Sequence, residues 1–431
     1  MQKVSEEGLV RGIRQWDLVG VVINSIIGAG IFVLPARSFK LIGSYSLIAF
    51  ILCAFVCALI ILCFVEVSSR FTGTGGPYLY ATEAFGPAVG FQVGWMNWIA
   101  RVSAYATNCN LLVVYLGFFW PAAVSGFWRA LIITLITLTL TIINYIGVRD
   151  AARASNFFTF AKLLPMTLFI ATGLFFIKPE NFTLGEYPSY GSFSTSVLLL
   201  LYAFTGFENA SVPAGEVVNP RRNLPFAILT GLGIVTLFYL LIQTVSIGTL
   251  RDLGNTERPL ADAAALFLGP VGGSIIAAGA IISVLGNLNV NILTTPRILF
   301  AMSSRRELPR ILSEVHKRFR TPHVAILGTA ALMLALTLSS TLIYALTVST
   351  IARLLAYAAT CAALPTLRQK KNVPDALVKI PGGVIISVLA ILLSIWLLTN
   401  ATRIEARDSA IAVTVGIMIY IGYWFLSRRK K

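Results

Sequence analysis

Apolar stretches of about 17 to 25 residues, each long enough for a helix to cross a hydrocarbon core ~30 Å thick, recur from Trp16 to Leu426 with short polar connectors. Twelve spans can be placed, centred in Trp16–Ala36, Ser44–Val67, Val89–Leu116, Ala130–Ile146, Phe157–Ile177, Val197–Val217, Phe226–Leu250, Val271–Met302, Val324–Ser339, Leu342–Leu364, Val384–Thr399 and Ala410–Leu426. An all-α polytopic membrane protein is expected, because a helix satisfies its own backbone where water is absent. Composition agrees: 57% of the 431 residues are hydrophobic and 12% charged, with a mean hydropathy of +0.81, too apolar for an ordinary water-soluble domain. No Ala-x-Ala-like cleavage site follows the first apolar run, so that run reads as a retained helix and not as a signal peptide.

The formal charge of +16 could suggest nucleic acid, but its placement follows membrane topology. Assigning connectors alternately puts twenty-two of the 34 Lys and Arg on the side of the N-terminus, eight opposite and four inside spans, of which Arg297 lies within five residues of a span end. The positive-inside rule then places both termini in the cytoplasm of a cell membrane. The clusters Arg305 to Arg320, Arg368 to Lys379 and Arg428 to Lys431 flank helix ends and belong to no nucleic-acid-binding module. Residues 1–15 read as an N-terminal tail, 16–364 as ten spans, 380–426 as the last two and 427–431 as a basic tail.

Enzymatic chemistry finds little support. The five cysteines, Cys53, Cys57, Cys63, Cys109 and Cys361, lie in apolar runs, where a thiol acts as a small hydrophobe. His316 and His323 share one connector, no metal spacing is visible, and the phosphate-loop, His-Glu-x-x-His and Gly-x-Ser-x-Gly patterns are absent. No catalytic residue, metal or cofactor is therefore expected.

Two spans carry a mid-membrane interruption. Span one reads NSIIGAGIFVLP from Asn24 to Pro35, with Gly28 and Gly30 flanking Ala29. Two glycines make unwinding easy, although a small-x-small packing pair has the same spelling. Span six reads LYAFTGFENAS from Leu201 to Ser211, with Gly206 mid-span and Glu208 and Asn209 just after it. Unwound backbone at that depth must face protein, water or ligand, because lipid offers it no hydrogen bonds. The interruptions are five spans apart, so two five-helix halves have opposite orientation, the pattern of an inverted-repeat transporter site.

Such a pair suits a zwitterion. Half-helix N-termini offer N–H groups to a carboxylate, and half-helix C-termini offer carbonyls to an ammonium. An amino acid's carboxylate would meet the amides of Gly28, Ala29 and Gly30, and its ammonium the carbonyls near Ile26, Tyr202, Ala203 and Thr205.

These residues resemble the amino acid, polyamine and organocation (APC) superfamily, whose members share the LeuT-like fold of five plus five inverted helices. The resemblance covers nearly the whole chain and rests on GAGIFVLP in span one, YLYATEAFGPAVGF from Tyr78, FTGFENASVPAGEVVNPRRNLP from Phe204 and LGNLNVNILTTPRILFAMSSRRELP from Leu285. It implies amino-acid uptake or exchange by alternating access, independent of sodium or coupled to protons. Glu208 falls on the family's Gly-Phe-Glu acid, associated with coupling and gating, and Tyr202 on a gate aromatic. Lys162 matches a lysine whose ammonium stands where sodium-coupled relatives hold sodium. Ala29 departs from members with a hydroxyl there, and Asn291 from cation carriers with an aromatic. Arg353 resembles the arginine that recognises anionic substrate in cystine/glutamate exchangers, and Arg101 lies where relatives face the pocket.

The expected substrate set is therefore Ser25, Ile26, Gly28, Ala29, Gly30 and Ile31 at the first break, Tyr202, Ala203, Phe204, Thr205 and Phe207 at the second, and Arg101, Asn291 and Arg353 on facing spans. Lys162, Tyr202 and Glu208 are the coupling or gating candidates. Intramembrane charge costs at least about 2.5 to 3.5 kcal/mol, so Arg101, Lys162 and Arg353 each need a partner or a watery path. Arg101 could pair with Glu208, and Lys162 could instead snorkel to the interface. Glu66, Glu83 and Glu216 are expected to be solvated or ion-paired, and Asn287 and Asn289 either to line the pocket or, slightly favoured, to hydrogen-bond between helices. Implied partners are an amino acid, the proton and the bilayer, in a monomer or homodimer.

Overall fold

The structure is a computed structural model that describes residues 11–146, 149–212, 214–319 and 321–428. Residues 1–10 of the expected N-terminal tail, 429–431 of the basic tail and the Glu216 side chain lie outside that description. The described elements are helices, apart from one isolated bridge between Ile13 and Val217. The chain runs through α1 (Gln15–Ile26), α2 (Gly30–Ile42), α3 (Ser46–Ser68), a short α4 (Pro77–Phe85) and α5 (Pro87–Leu116). It continues through α6 (Gly126–Ile146), α7 (Arg149–Gly173), α8 (Tyr190–Phe204), α9 (Pro220–Thr249) and α10 (Pro259–Ser304). It finishes with α11 (His323–Ser339), α12 (Leu342–Gln369), α13 (Gly383–Leu398) and α14 (Arg403–Arg428).

Among the described residues, seven helical segments are long and apolar enough to cross a membrane, and α11 and α13 are shorter apolar helices. Their polarity is inverted relative to a soluble protein. On α6, Thr137, Thr141 and Asn144 are buried while Leu135, Leu138 and Ile142 are exposed. Lipid is as apolar as leucine, so the outer face needs no polar groups, and the polar ones bond inside. Tyr105 of α5, for instance, reaches the Thr137 hydroxyl at 2.9 Å. The protein is a multi-pass membrane protein.

Local signals explain where helices stop. Gly86, at φ +92, and Pro87 end α4 and start α5 in a new direction. Gly269, at φ +69, does the same inside α10, so the part before it precedes the expected eighth span.

One ion pair joins distant parts of the chain. Glu66, fully buried at the end of α3, accepts from Arg368 of α12 at 2.6 Å through both oxygens and from the Ile380 amide at 2.9 Å. Arg70 stands 3.7 Å away. The bidentate geometry and the extra amide are what a desolvated carboxylate needs. Glu66 is thus ion-paired and not solvated, whereas Glu83 keeps a partly exposed contact with Arg305 at 3.9 Å.

Candidate functional site

Both expected interruptions lie at the centre of the helix packing. α1 ends at Ile26, Ile27 turns extended at ψ 91, and helix resumes at Gly30. α8 ends at Phe204, Thr205 is extended, Gly206 takes φ +114, and a 3-10 turn follows over Phe207–Ser211. The two breaks interlock. A Cβ on Gly206 would stand 2.3 Å from the Ser25 carbonyl oxygen, and one on Gly30 would stand 2.7 Å from Cα of Ala203. Glycine is required at both positions because backbone meets backbone there.

Side chains from other helices satisfy the freed backbone groups. The Lys162 ammonium of α7, 1% exposed, donates to the carbonyls of Asn24 at 3.1 Å and Ile27 at 2.8 Å. It points into the break and does not snorkel to the interface. Asn287 of α10 donates to Asn24 and Ser25 at 3.3 and 3.2 Å, and the Tyr239 hydroxyl of α9 lies 3.3 Å from the Ile26 carbonyl and 2.9 Å from that of Ala203. On the amide side, Ala29 N–H donates to Oδ1 of Asn108 on α5 at 3.0 Å. Asn289 makes the expected interhelical bond, accepting from Asn144 at 2.9 Å.

Between the breaks lies a cavity of about 20 Å³, space for roughly one water centre. Of the expected substrate residues, Ser25, Ile26, Gly28, Tyr202, Thr205, Asn291 and Arg353 form its wall. Ala104, Asn108, Asn209 and Asn287 complete it. The sequence left Asn287 open between pocket and interhelical packing and did not assign the other three to the wall. Ala104 and Asn108 follow Arg101 at helical spacing, and Asn287 precedes Asn291 by one turn, so a face-by-face reading could have grouped them. Ser25 Oγ, Asn209 Oδ1, Asn291 Oδ1 and Arg353 Nε are buried on this wall without a hydrogen-bond partner, a surplus of donors and acceptors suited to a polar guest.

Past the second break, Glu208 is fully buried and accepts from Arg353 at 2.9 Å, from the Tyr357 hydroxyl at 2.6 Å and from the Gly206 amide at 3.0 Å. Its cationic partner is therefore Arg353 of α12, where the sequence alone suggested Arg101. Arg101 instead donates to Asn97 at 3.2 Å and Thr294 at 2.8 Å and stands off the cavity wall. Phe204 packs edge-on against Phe50 and Tyr239, and Phe207 packs against Phe64 and Tyr357. Ala29, Gly30, Ile31 and Ala203 are buried in the interlocked backbone behind the wall. Among the described residues no group of His, Cys, Asp or Glu is placed to hold a metal ion, and all five cysteines are buried and free.

Comparison with known proteins places the chain in a family. The amino acid permease family model matches residues 13–425. The chain belongs to that family. As an APC amino acid permease it is similar over its whole length to curated transporters of Bacillus subtilis strain 168. It is 29% identical to the serine/threonine exchanger SteT, with 99% of each chain covered. It is 27% identical to the branched-chain amino acid permease BcaP and 26% identical to the methylthioribose transporter, in each case over 97% of this chain and 94% of the relative. Amino acid transport, and not enzymatic conversion, is what the family and these relatives support.

Proposed function

We propose that this permease is a proton-coupled, sodium-independent secondary transporter of small polar amino acids, working by alternating access. It has twelve spans, of which residues 16–364 form a five-plus-five inverted repeat and 380–426 two added helices, with both termini in the cytoplasm. The observation that carries the reading is the convergence of the two helix breaks on one polar cavity, with a buried ammonium holding the carbonyls of the first break. When protonated, Lys162 supplies a positive charge beside the unwound chain, the electrostatic task that a bound cation would perform, and loss of that proton removes it. Tyr202 and Glu208 act at the gate.

The wall argues for the cargo class. Glu208 compensates Arg353, and Arg101 is turned to Asn97 and Thr294 off the cavity wall, so no uncompensated guanidinium lines the cavity. What remains is amide and hydroxyl: Ser25, Thr205, Tyr202 and four asparagines. One relative, the serine/threonine exchanger, has cargo of this class. Uptake into proteoliposomes, with each of the twenty amino acids as competitor, at two pH values and with and without sodium, tests the reading. Serine or threonine is expected to compete best, with accumulation driven by an inward proton gradient into empty vesicles. Dominance by glutamate or leucine rejects the cargo class, and a strict need for internal amino acid rejects symport.

Lys162→Gln is expected to remove most uptake while the protein still folds and purifies as a monodisperse species. The amide keeps a donor for one of the two carbonyls but loses the charge. Unchanged uptake with an unchanged pH profile would sink the coupling role.

A further inference from the structure

A second concave site lies far from the helix breaks, where α10 leaves the helix bundle beside the start of α5 and the end of α14. It is a cavity of about 380 Å³ lined by Arg305, Arg306, Glu307, Pro87, Tyr420 and Tyr423 among others. The transport cycle proposed above makes no use of it. Three features bear on what it would hold.

The first is its charge. Arg305 is 43% exposed, lies over the Tyr78 ring at 5.6 Å and touches Glu83 only at 3.9 Å, so much of its guanidinium faces outward. Arg306 is exposed; its left-handed backbone at φ +63 closes α10, with the Arg306 and Glu307 amides bonding back to the Ser303 and Met302 carbonyls. Glu307 lies on the same wall, where its carboxyl accepts from Tyr78 at 2.7 Å; burial raises its pKa, against the pull of that hydrogen bond and of Arg305. Pro87, at the start of α5, adds an apolar ring to the same wall and no backbone donor. Two guanidiniums at one cavity match a phosphate group.

The second feature is the neighbourhood. Ile417, Met418, Ile421 and Phe425 of α14 are exposed, an apolar strip that leads up to the cavity at Tyr420 and Tyr423. Tyr420 packs on Phe91 of α5 at 5.2 Å between ring centroids, which fixes this wall. A polar pocket at the end of a lipid-facing strip, with tyrosines at the boundary, has the make-up of the membrane interface. The third feature is depth along the chain. Arg305 and Arg306 directly follow the end of α10 at Ser304, at the head of the basic cluster that runs to Arg320.

We propose that this cavity binds the phosphate of an anionic phospholipid, with its acyl chains lying along α14. The leaflet, cytoplasmic, rests on the topology proposed above; the binding does not. Lipid bound here would bridge α10, α5 and α14.

Native mass spectrometry of the full chain in detergent, titrated with phosphatidylglycerol, phosphatidylcholine or inorganic phosphate, tests this without reference to transport, so its failure is separate from failure of the transport reading. Wild type is expected to retain phosphatidylglycerol over phosphatidylcholine and to gain thermal stability from it. Arg306→Ala is expected to lower apparent affinity about fivefold, the factor an interfacial arginine contributes, and Arg305→Ala/Arg306→Ala to lower it further. Arg306→Lys, which keeps the charge, should retain most of the lipid. Arg305 also supports Tyr78 and Glu83, so should the double variant fail to fold, Arg306→Ala and Arg306→Lys carry the comparison. Equal retention by wild type and Arg306→Ala overturns the site. Displacement of the lipid by inorganic phosphate at equal concentration overturns its assignment to a lipid.

Discussion

Gly206→Ala is expected to abolish amino acid uptake and to lower the unfolding temperature, although it adds one methyl group. Two independent penalties meet there. At φ +114 the backbone is one that L side chains rarely adopt, a strain of about 1–3 kcal/mol. The new Cβ would also stand 2.3 Å from the Ser25 carbonyl oxygen and 2.8 Å from its carbon, and these are backbone atoms that cannot rotate away. Relief requires the second break to withdraw from the first, which would separate the walls of the cavity between them. Gly233→Ala on α9 is the control. Its Cβ would meet nothing within 4 Å and its φ is ordinary, so the helix should gain about 1 kcal/mol and uptake should persist. Uptake by Gly206→Ala at the wild-type rate would reject the rigid docking of the two breaks.

That docking marks how far the sequence could be read. Glycines at 28, 30 and 206 in apolar runs were enough to place both interruptions, because unwound backbone in lipid is so costly that it announces itself. What braces the interruptions was less legible. Lys162 was suggested by resemblance, yet only the fold shows its ammonium on the Asn24 and Ile27 carbonyls instead of at the interface. Tyr239 lies 36 residues after Ala203, and nothing in its neighbourhood distinguishes a hydroxyl that holds two carbonyl ends from an ordinary packing tyrosine. Asn108 was hidden for a related reason. An asparagine inside an apolar helix can bond back to its own helix, as Asn108 does to Ala104 at 2.7 Å, and also reach Ala29 across the site. Rotation of α5 about its axis settles which groups it meets, and packing, not spelling, sets that rotation. The same holds for the partner of Glu208. The sequence suggested Arg101, and only the placement of α12 beside the second break brings Arg353 to 2.9 Å instead.

The other large effect is expected from that pair. Glu208→Ala would leave the Arg353 guanidinium, the Tyr357 hydroxyl and the Gly206 amide buried without their shared acceptor. Breaking a buried pair from one side costs about 3–5 kcal/mol, because the remaining charge has no solvent to turn to. Arg353 is 4% exposed and its Nε already lacks a partner, so little compensation is at hand. Glu208→Gln is the informative companion. It keeps the shape and one acceptor oxygen, should fold better than Glu208→Ala, and still frees the Arg353 charge on the cavity wall. Its competition profile should therefore shift from small polar amino acids towards glutamate and aspartate. Arg353→Gln in the same chain removes the orphaned charge and should recover part of the lost stability, giving a coupling of 0.5–3 kcal/mol in a double-mutant cycle read by thermal unfolding. Costs that add within about 0.5 kcal/mol would mean that the contact carries little energy. An unshifted profile in Glu208→Gln would mean that Arg353 does not face the cargo even when freed.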